Sequence, residues 1–161
     1  MSGPLTARDV FLNPLHFLAY GFGAGLVPRA PGTAGTLAAI PVYLLVQLGG
    51  IWFYAGFTLL AFIGGIAVCG YTARQMQIDD PSGVVWDEIV GYLISMAVAP
   101  LGVIWIVAGF ALFRLFDIWK PWPIRLLDRH VKGGLGIMLD DAVAGLFTAI
   151  LLGLAVHILN R

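Results

Sequence analysis

The sequence predicts an all-α, polytopic membrane bundle, and three observations carry that prediction. Of the 161 residues, 60% are hydrophobic and only 11% are charged, with a mean hydropathy of +0.91, far from the usage of soluble domains. Most of the charges fall into two islands, Asp79 to Glu88 and Arg114 to Asp141. No charged side chain occurs between Ala30 and Arg74, between Glu88 and Arg114, or between Asp141 and Arg161, and gaps of that length suit passage through lipid.

The elements follow in chain order. Arg8, Asp9, Asn13 and Pro14 interrupt the N-terminal region before an apolar run of useful length, so it reads as mature protein and not as a cleavable signal. Residues 14–26 are apolar but too short to span, which predicts an interfacial helix ending among glycines. Four to five membrane segments come next. The first runs from Thr33 to Leu48 and the second from Ile51 to Tyr71, folded into a hairpin at Gly49-Gly50. The third (Val84 to Ala99) and fourth (Leu101 to Trp119) form a second hairpin at Pro100-Leu101-Gly102. The last, Leu139 to Leu159, is expected to begin at Asp140-Asp141, because carboxylates complement the positive end of a helix dipole. Segments one and three are short for a bilayer core of about 30 Å, which calls for tilt, thinning or partial insertion. The turns are too short to hold a second core, so residues 1–161 are expected to form one domain.

If all five segments cross, the loops 21–35, 72–88 and 120–140 emerge on one face. Arg29, Arg74, Lys120, Arg125, Arg129 and Lys132 share that face, the opposite turns carry no charge, and the excess of basic residues marks it as cytoplasmic; Arg161 alone falls on the other side.

Several function classes fall away. The formal net charge is zero and the sequence pI is about 6.8, so no global field favours nucleic acid. Cys69, the lone cysteine, lies in an apolar stretch and reads as packing. His16, His130 and His157 are scattered, and neither a nucleophile motif nor a phosphate-binding Walker sequence occurs.

What remains is a set of acidic and basic clusters at the predicted membrane edge. Asp87-Glu88 open an otherwise apolar helix, where ionisable groups are costly unless they face a cavity and find partners; a solvated helix cap is the competing explanation. Asp79-Asp80 precede Pro81, and turn formation accounts for them equally well. Arg114 and Asp117 share a helical face, with Lys120 close to it before Pro121 ends the helix. Arginine offers bidentate contacts to phosphoryl oxygens, lysine a compact charge, and Trp119 and Trp122 suit the headgroup layer. His130 and Lys132 read as an ordinary basic loop. Asp140-Asp141 follow the glycine-rich run from Gly133 to Gly136, and adjacent carboxylates are suitable ligands for a hard cation such as Mg2+. Carboxylate-held Mg2+ beside basic phosphate clamps points to phosphoryl chemistry on a membrane substrate.

Gly21 to Gly25, Pro31 to Pro41, Trp86-Asp87-Glu88, Arg114 to Arg125 with its Lys120-Pro121-Trp122-Pro123-Ile124 core, and Gly133 to Gly145 occur in one order along the chain. In these blocks the sequence resembles the phosphatidylglycerophosphatase A family over almost its full length. The resemblance implies a Mg2+-dependent, multi-pass enzyme of the bacterial inner membrane. Such an enzyme converts phosphatidylglycerophosphate to phosphatidylglycerol and inorganic phosphate, with the lipid and the bilayer as its partners and no nucleic acid. It maps acidic positions to Asp80, Asp87, Glu88, Asp117, Asp128, Asp140 and Asp141, and basic ones to Arg114, Lys120, Arg125 and Arg129.

On that footing Asp87, Glu88, Asp117 and Asp141 are the expected catalytic residues, and Asp80 and Asp140 join them as expected metal ligands. Arg114, Lys120, Arg125, Arg129 and Thr33 are expected to bind the substrate phosphate, Thr33 within a glycine-rich segment whose amides can line the cavity. Activated water and an aspartyl-phosphate both fit these residues. The competing classes are a Mg2+-dependent lipid phosphotransferase, separable by nucleotide dependence, and a small ion or proton transporter, which would carry its carboxylates at mid-bilayer depth.

Overall fold

The computed structural model describes Gly3 and residues 5–161, and among them all regular structure is helical. Two short helices lead the chain: α1 (Ala7–Leu12), closed by a reciprocal capping box between Thr6 and Asp9, and α2 (Pro14–Ala19), capped by Asn13 with Pro14 in its first turn. A kinked 3-10 stretch, Gly21–Leu26, leads to α3 (Pro31–Val46). A 3-10 turn at Gln47–Gly49 and Gly50, with φ of +78°, reverse the chain into α4 (Gly50–Met76). The rest is α5 (Trp86–Met96), α6 (Val103–Trp119), α7 (Ile124–His130) and α8 (Gly133–Leu159).

Helices α3, α4, α5, α6 and α8 run alternately up and down. Gly32 at the start of α3 meets Glu88 at the start of α5, and Gly70 near the end of α4 meets Gly134 at the start of α8. At the opposite end Gly109 of α6 approaches Met96 and Leu152, while Tyr43 of α3 and Tyr54 of α4 pack edge to face at 6.2 Å. The two hairpins anticipated from Gly49-Gly50 and Pro100 are both present.

The centre of the bundle is α5, which packs on α3, α4, α6 and α8. Nine of its eleven residues are buried. Its hydrogen bonds tie it to its neighbours: Trp86 Nε1 donates to the Ala61 carbonyl (3.0 Å), Tyr92 Oη to Ile106 (3.1 Å), and Tyr54 Oη donates to Leu93 (2.5 Å). In an apolar surround such polar side chains need a partner, and the backbone carbonyls supply it.

Helix length corrects the count of crossings. At 1.5 Å per residue α5 is only about 16 Å long, and its apolarity is that of a core helix. Two stretches are long and apolar enough to cross a membrane, residues 31–76 and Gly133–Leu159, fewer than the four to five expected. The outer faces of α3, α4, α6 and α8 nevertheless expose large apolar side chains, among them Leu45, Leu60, Ile104, Val107 and Ile150. A surface of that kind is suited to lipid.

Two expectations at the end of the chain also fail. Helix α8 starts at Gly133 and not at Leu139, so Asp140 and Asp141 lie two turns inside it and are buried; dipole complementation at a helix start does not explain them. The glycine-rich run expected within the loop 120–140 is helical, and its glycines serve close packing: a Cβ on Gly134 would run into the Ile66 carbonyl. The segment between α6 and α8, read as loop, contains α7.

Candidate functional site

One crossing sets the geometry of the site. Gly91 of α5 and Gly145 of α8 lie backbone to backbone, where a Cβ on Gly91 would sit 2.8 Å from the Asp141 carbonyl oxygen and one on Gly145 would strike the Gly91 carbonyl. Small residues at a helix crossing permit this approach. One turn before Gly91 stands Asp87, and one turn before Gly145 stands Asp141, so the crossing that brings the backbones together also brings these side chains together. Asp87, Glu88 and Asp141 each offer a carboxylate oxygen within 4.8 Å of the others.

Around this cluster opens a cavity of about 280 Å³ at the end of the bundle where α3, α5 and α8 begin and α4 and α6 finish. Arg114 of α6 pairs with Asp117 one turn on and lies 3.9 Å from Glu88. Gly32 leaves room for this group, since a Cβ there would meet both the Glu88 carboxylate and the Arg114 guanidinium. Lys120 terminates α6 with φ of +46°, and its Nζ donates to Asp128 of α7 (2.8 Å) and Asp140 of α8 (2.6 Å). Burial works against that ammonium, but the two carboxylates outweigh it and hold Lys120 above the usual lysine range. Asp80, exposed on the loop after α4, lines the cavity mouth; partial desolvation there raises its carboxyl above the usual carboxylate range, with Lys120 opposing.

Eight carboxylates line the cavity, Asp79, Asp80, Asp87, Glu88, Asp117, Asp128, Asp140 and Asp141, against three cations, Arg114, Lys120 and Lys132. Asp87 Oδ1, Glu88 Oε2, Asp140 Oδ1 and Asp141 Oδ2 are buried without a hydrogen-bond partner. Unpartnered buried acceptors carry a desolvation penalty. Oxygen donors in this arrangement fit a hard cation, which would satisfy them and cancel part of the excess negative charge.

The structure therefore gathers Asp80, Asp87, Glu88, Arg114, Asp117, Lys120, Asp140 and Asp141 around one space. It does not bring in the rest of the expected set. Thr33 is not among the lining residues, the α3 contribution being Pro31 and Gly32, and Arg125 and Arg129 line a separate groove. Asp79 and Lys132 are additions, both read from sequence as turn or loop. Lys132 had a visible signal, since it directly precedes Gly133 and lies two helical turns before Asp140. Asp128, known from sequence only through resemblance, is identified as a partner of Lys120.

The family profile for phosphatidylglycerophosphatase A matches residues 17–156. The chain is 46% identical to phosphatidylglycerophosphatase A of Escherichia coli K12 over 85% of its own length and 80% of the relative's. It is 47% identical to the Haemophilus influenzae protein of that name, with 86% of each chain covered. A Bacteroides thetaiotaomicron protein provisionally named phosphatidylinositol-3-phosphatase is 40% identical over 92% of this chain and 96% of its own. No solved structure matches the chain.

Proposed function

The chain belongs to the phosphatidylglycerophosphatase A family, and on that premise we propose that it hydrolyses phosphatidylglycerophosphate to phosphatidylglycerol and inorganic phosphate. The observation that carries the reading is the trio Asp87, Glu88 and Asp141, two buried aspartates and a half-buried glutamate, with unpartnered oxygens beside one shared cavity. Mg2+ is the cation proposed for this trio, because a small set of carboxylates leaving room for water and phosphate oxygens matches its preferences. When bound, such an ion supplies charge neutralisation for the phosphoryl oxygens.

The remaining groups have separable tasks. Arg114, fixed by Asp117 and Glu88, presents a planar cation that orients the terminal phosphate. Lys120 adds a second positive charge that stays protonated through the physiological range. Asp140 is held at Oδ2 by Lys120 while its Oδ1 has no partner, which places Oδ1 to accept a proton from the attacking water and return it to the leaving glycerol oxygen. Water then adds to phosphorus as the P–O ester bond breaks, giving an alcohol and inorganic phosphate.

For the chain as a whole we propose one membrane-embedded domain of the bacterial inner membrane. Helices α3, α4, α6 and α8 face lipid, α5 lies inside them, and the cavity opens toward the cytoplasm. The basic residues near the cavity end support that orientation. Exposed Trp119 and Trp122 at the cavity end, with Trp52 on the opposite side of the bundle, are placed as interfacial anchors. Spans of about 24–26 Å for α3 and α6 imply a locally thinned bilayer. Carboxylates gathered at one end do not favour a transporter, which needs them along a path.

The name of the Bacteroides relative favours a second headgroup class, a phosphoinositide monoester, for the same chemistry. Purified protein assayed for phosphate release on both lipids decides between them. Release from phosphatidylglycerophosphate at least tenfold faster, without added nucleotide, supports the proposal, and preference for the phosphoinositide replaces it.

A further inference from the structure

A second cavity, of about 450 Å³, lies on the other side of α7 from the carboxylate cluster. Its lining includes Trp119, Trp122, Arg125, Leu126 and Arg129, and it shares Lys120 with the first cavity. Helix α7 is the partition. Asp128 faces the carboxylate side and bonds Lys120, whereas Arg125 and Arg129, four residues apart, stand together on the groove side. The two spaces differ in sign. The first is dominated by carboxylates; the second contains no acidic residue and pairs two exposed arginines with two exposed indoles. Neither arginine has a carboxylate partner within ion-pair distance among the described residues, although Arg125 Nη2 donates weakly to the Trp119 carbonyl at 3.5 Å.

We propose that this groove is a subsite for the internal phosphodiester of the lipid substrate, a site separate from the one that receives the terminal phosphate. The inference rests on the hydrolysis proposed above. A substrate whose glycerol carries a phosphate at each end needs two anion sites a short linker apart. Lys120, at the boundary, is where the two spaces meet. Arginine is suited to the diester because its planar fork contacts two phosphate oxygens at once, and it needs no metal there because the diester carries a single charge. Trp119 and Trp122 hold the groove at headgroup depth, so the acyl chains leave toward the bilayer beside Leu126. Lipid monoesters lacking a correctly spaced diester fill only one of the two sites, which makes α7 a determinant of specificity.

Two inhibitors separate the sites, because phosphatidylglycerol carries only the diester and inorganic phosphate resembles only the terminal group. Hydrolysis by the full-length protein in neutral detergent micelles is measured against each inhibitor for the wild type, the Arg125→Gln/Arg129→Gln double variant and the Arg125→Lys/Arg129→Lys pair. Both arginines are exposed, so these substitutions spare the core. The subsite predicts that the Gln pair raises the inhibition constant of phosphatidylglycerol about tenfold and that of phosphate less than twofold, with the Lys pair recovering only part of the loss. Equal shifts for both inhibitors, no shift, or full recovery by lysine, as a diffuse basic patch would give, overturn it. Equilibrium binding of radiolabelled phosphatidylglycerol to the same proteins is independent of turnover. If the wild type fails to hydrolyse phosphatidylglycerophosphate, the reaction assignment fails, while a loss of lipid binding confined to the Gln pair still supports an anionic diester site.

Discussion

Replacing Gly91 with alanine tests whether the α5–α8 crossing builds the site. The new Cβ would lie 2.6 Å from Phe113 Cε2 and 2.8 Å from the Asp141 carbonyl oxygen. Phe113 is fully buried, and the oxygen belongs to the backbone of α8, so neither can swing away. Restoring a contact of about 3.5 Å requires the neighbours to move away by roughly 0.7–0.9 Å. Overpacking of this kind costs about 1–3 kcal/mol of stability. The displacement acts one turn from Asp87 and Asp141, and misplacement of catalytic groups by about 1 Å can cost 10²-fold in rate, so a fall in kcat of about 10- to 100-fold is expected. Gly64→Ala is the matched control: a Cβ there meets nothing within 4 Å, and the better helix former gains up to about 1 kcal/mol. Thermal unfolding in detergent and initial rates of phosphate release measure both variants. Wild-type activity and stability in Gly91→Ala would refute the claim that this contact positions the carboxylates.

Other predictions concern charge. Mg2+ at about a hundred times its Kd should stabilise the wild type by roughly 2.7 kcal/mol in thermal unfolding, and this gain should vanish in Asp141→Asn, which removes one ligand from the trio. Without metal, the same variant should be at least as stable as the wild type, because one of three crowded carboxylates has gone; a marked loss would show that Asp141 has a structural partner. Lys120→Met should lower stability by about 1–3 kcal/mol by stranding Asp128 and Asp140. The lysine is raised in the folded state, so its contribution is complete below its unfolded value near 10.4 and is lost only as pH rises through the higher folded value. The difference between wild type and Lys120→Met, measured by chemical unfolding, should therefore be flat from about pH 7 to 9. Asp140→Asn should reduce kcat more than tenfold while leaving the Mg2+-induced thermal shift in place, which separates proton transfer from metal binding in a calorimetric scan.

Much of this arrangement was legible in the sequence because membrane chains segregate their charges. The gaps located α3, α4, α6 and α8 to within a few residues at most ends, and the alternation of crossings gathered distant acids at one end. Depth was harder to read. Asp140-Asp141 looked like a helix start because a carboxylate at an N-terminus and one two turns inside are alike in sequence; only the contacts of Gly134 with Ile66 and Gly70 extend α8 back to Gly133. Helix α5 passed for a crossing because burial by protein and by lipid select the same residues. Thr33 and Arg125 were expected at the phosphate from a glycine-rich segment and from the family resemblance, and neither signal tells which side of a helix faces the carboxylate cavity, whose lining includes neither residue. Gly91 and Gly145 stood in view next to the acidic pairs, but their meaning needed the partner helix.

Asp87, Glu88 and Asp141 are proposed to hold a divalent cation used to hydrolyse the terminal phosphate of a lipid. The most direct test is phosphate release from phosphatidylglycerophosphate by purified protein, before and after EDTA and on return of Mg2+, beside Asp87→Asn. Activity should be abolished by EDTA, restored by Mg2+, and reduced by about 10³-fold in the variant at every Mg2+ concentration, the scale of losing a major source of electrostatic stabilisation. Turnover that survives both EDTA and Asp87→Asn would contradict the proposal.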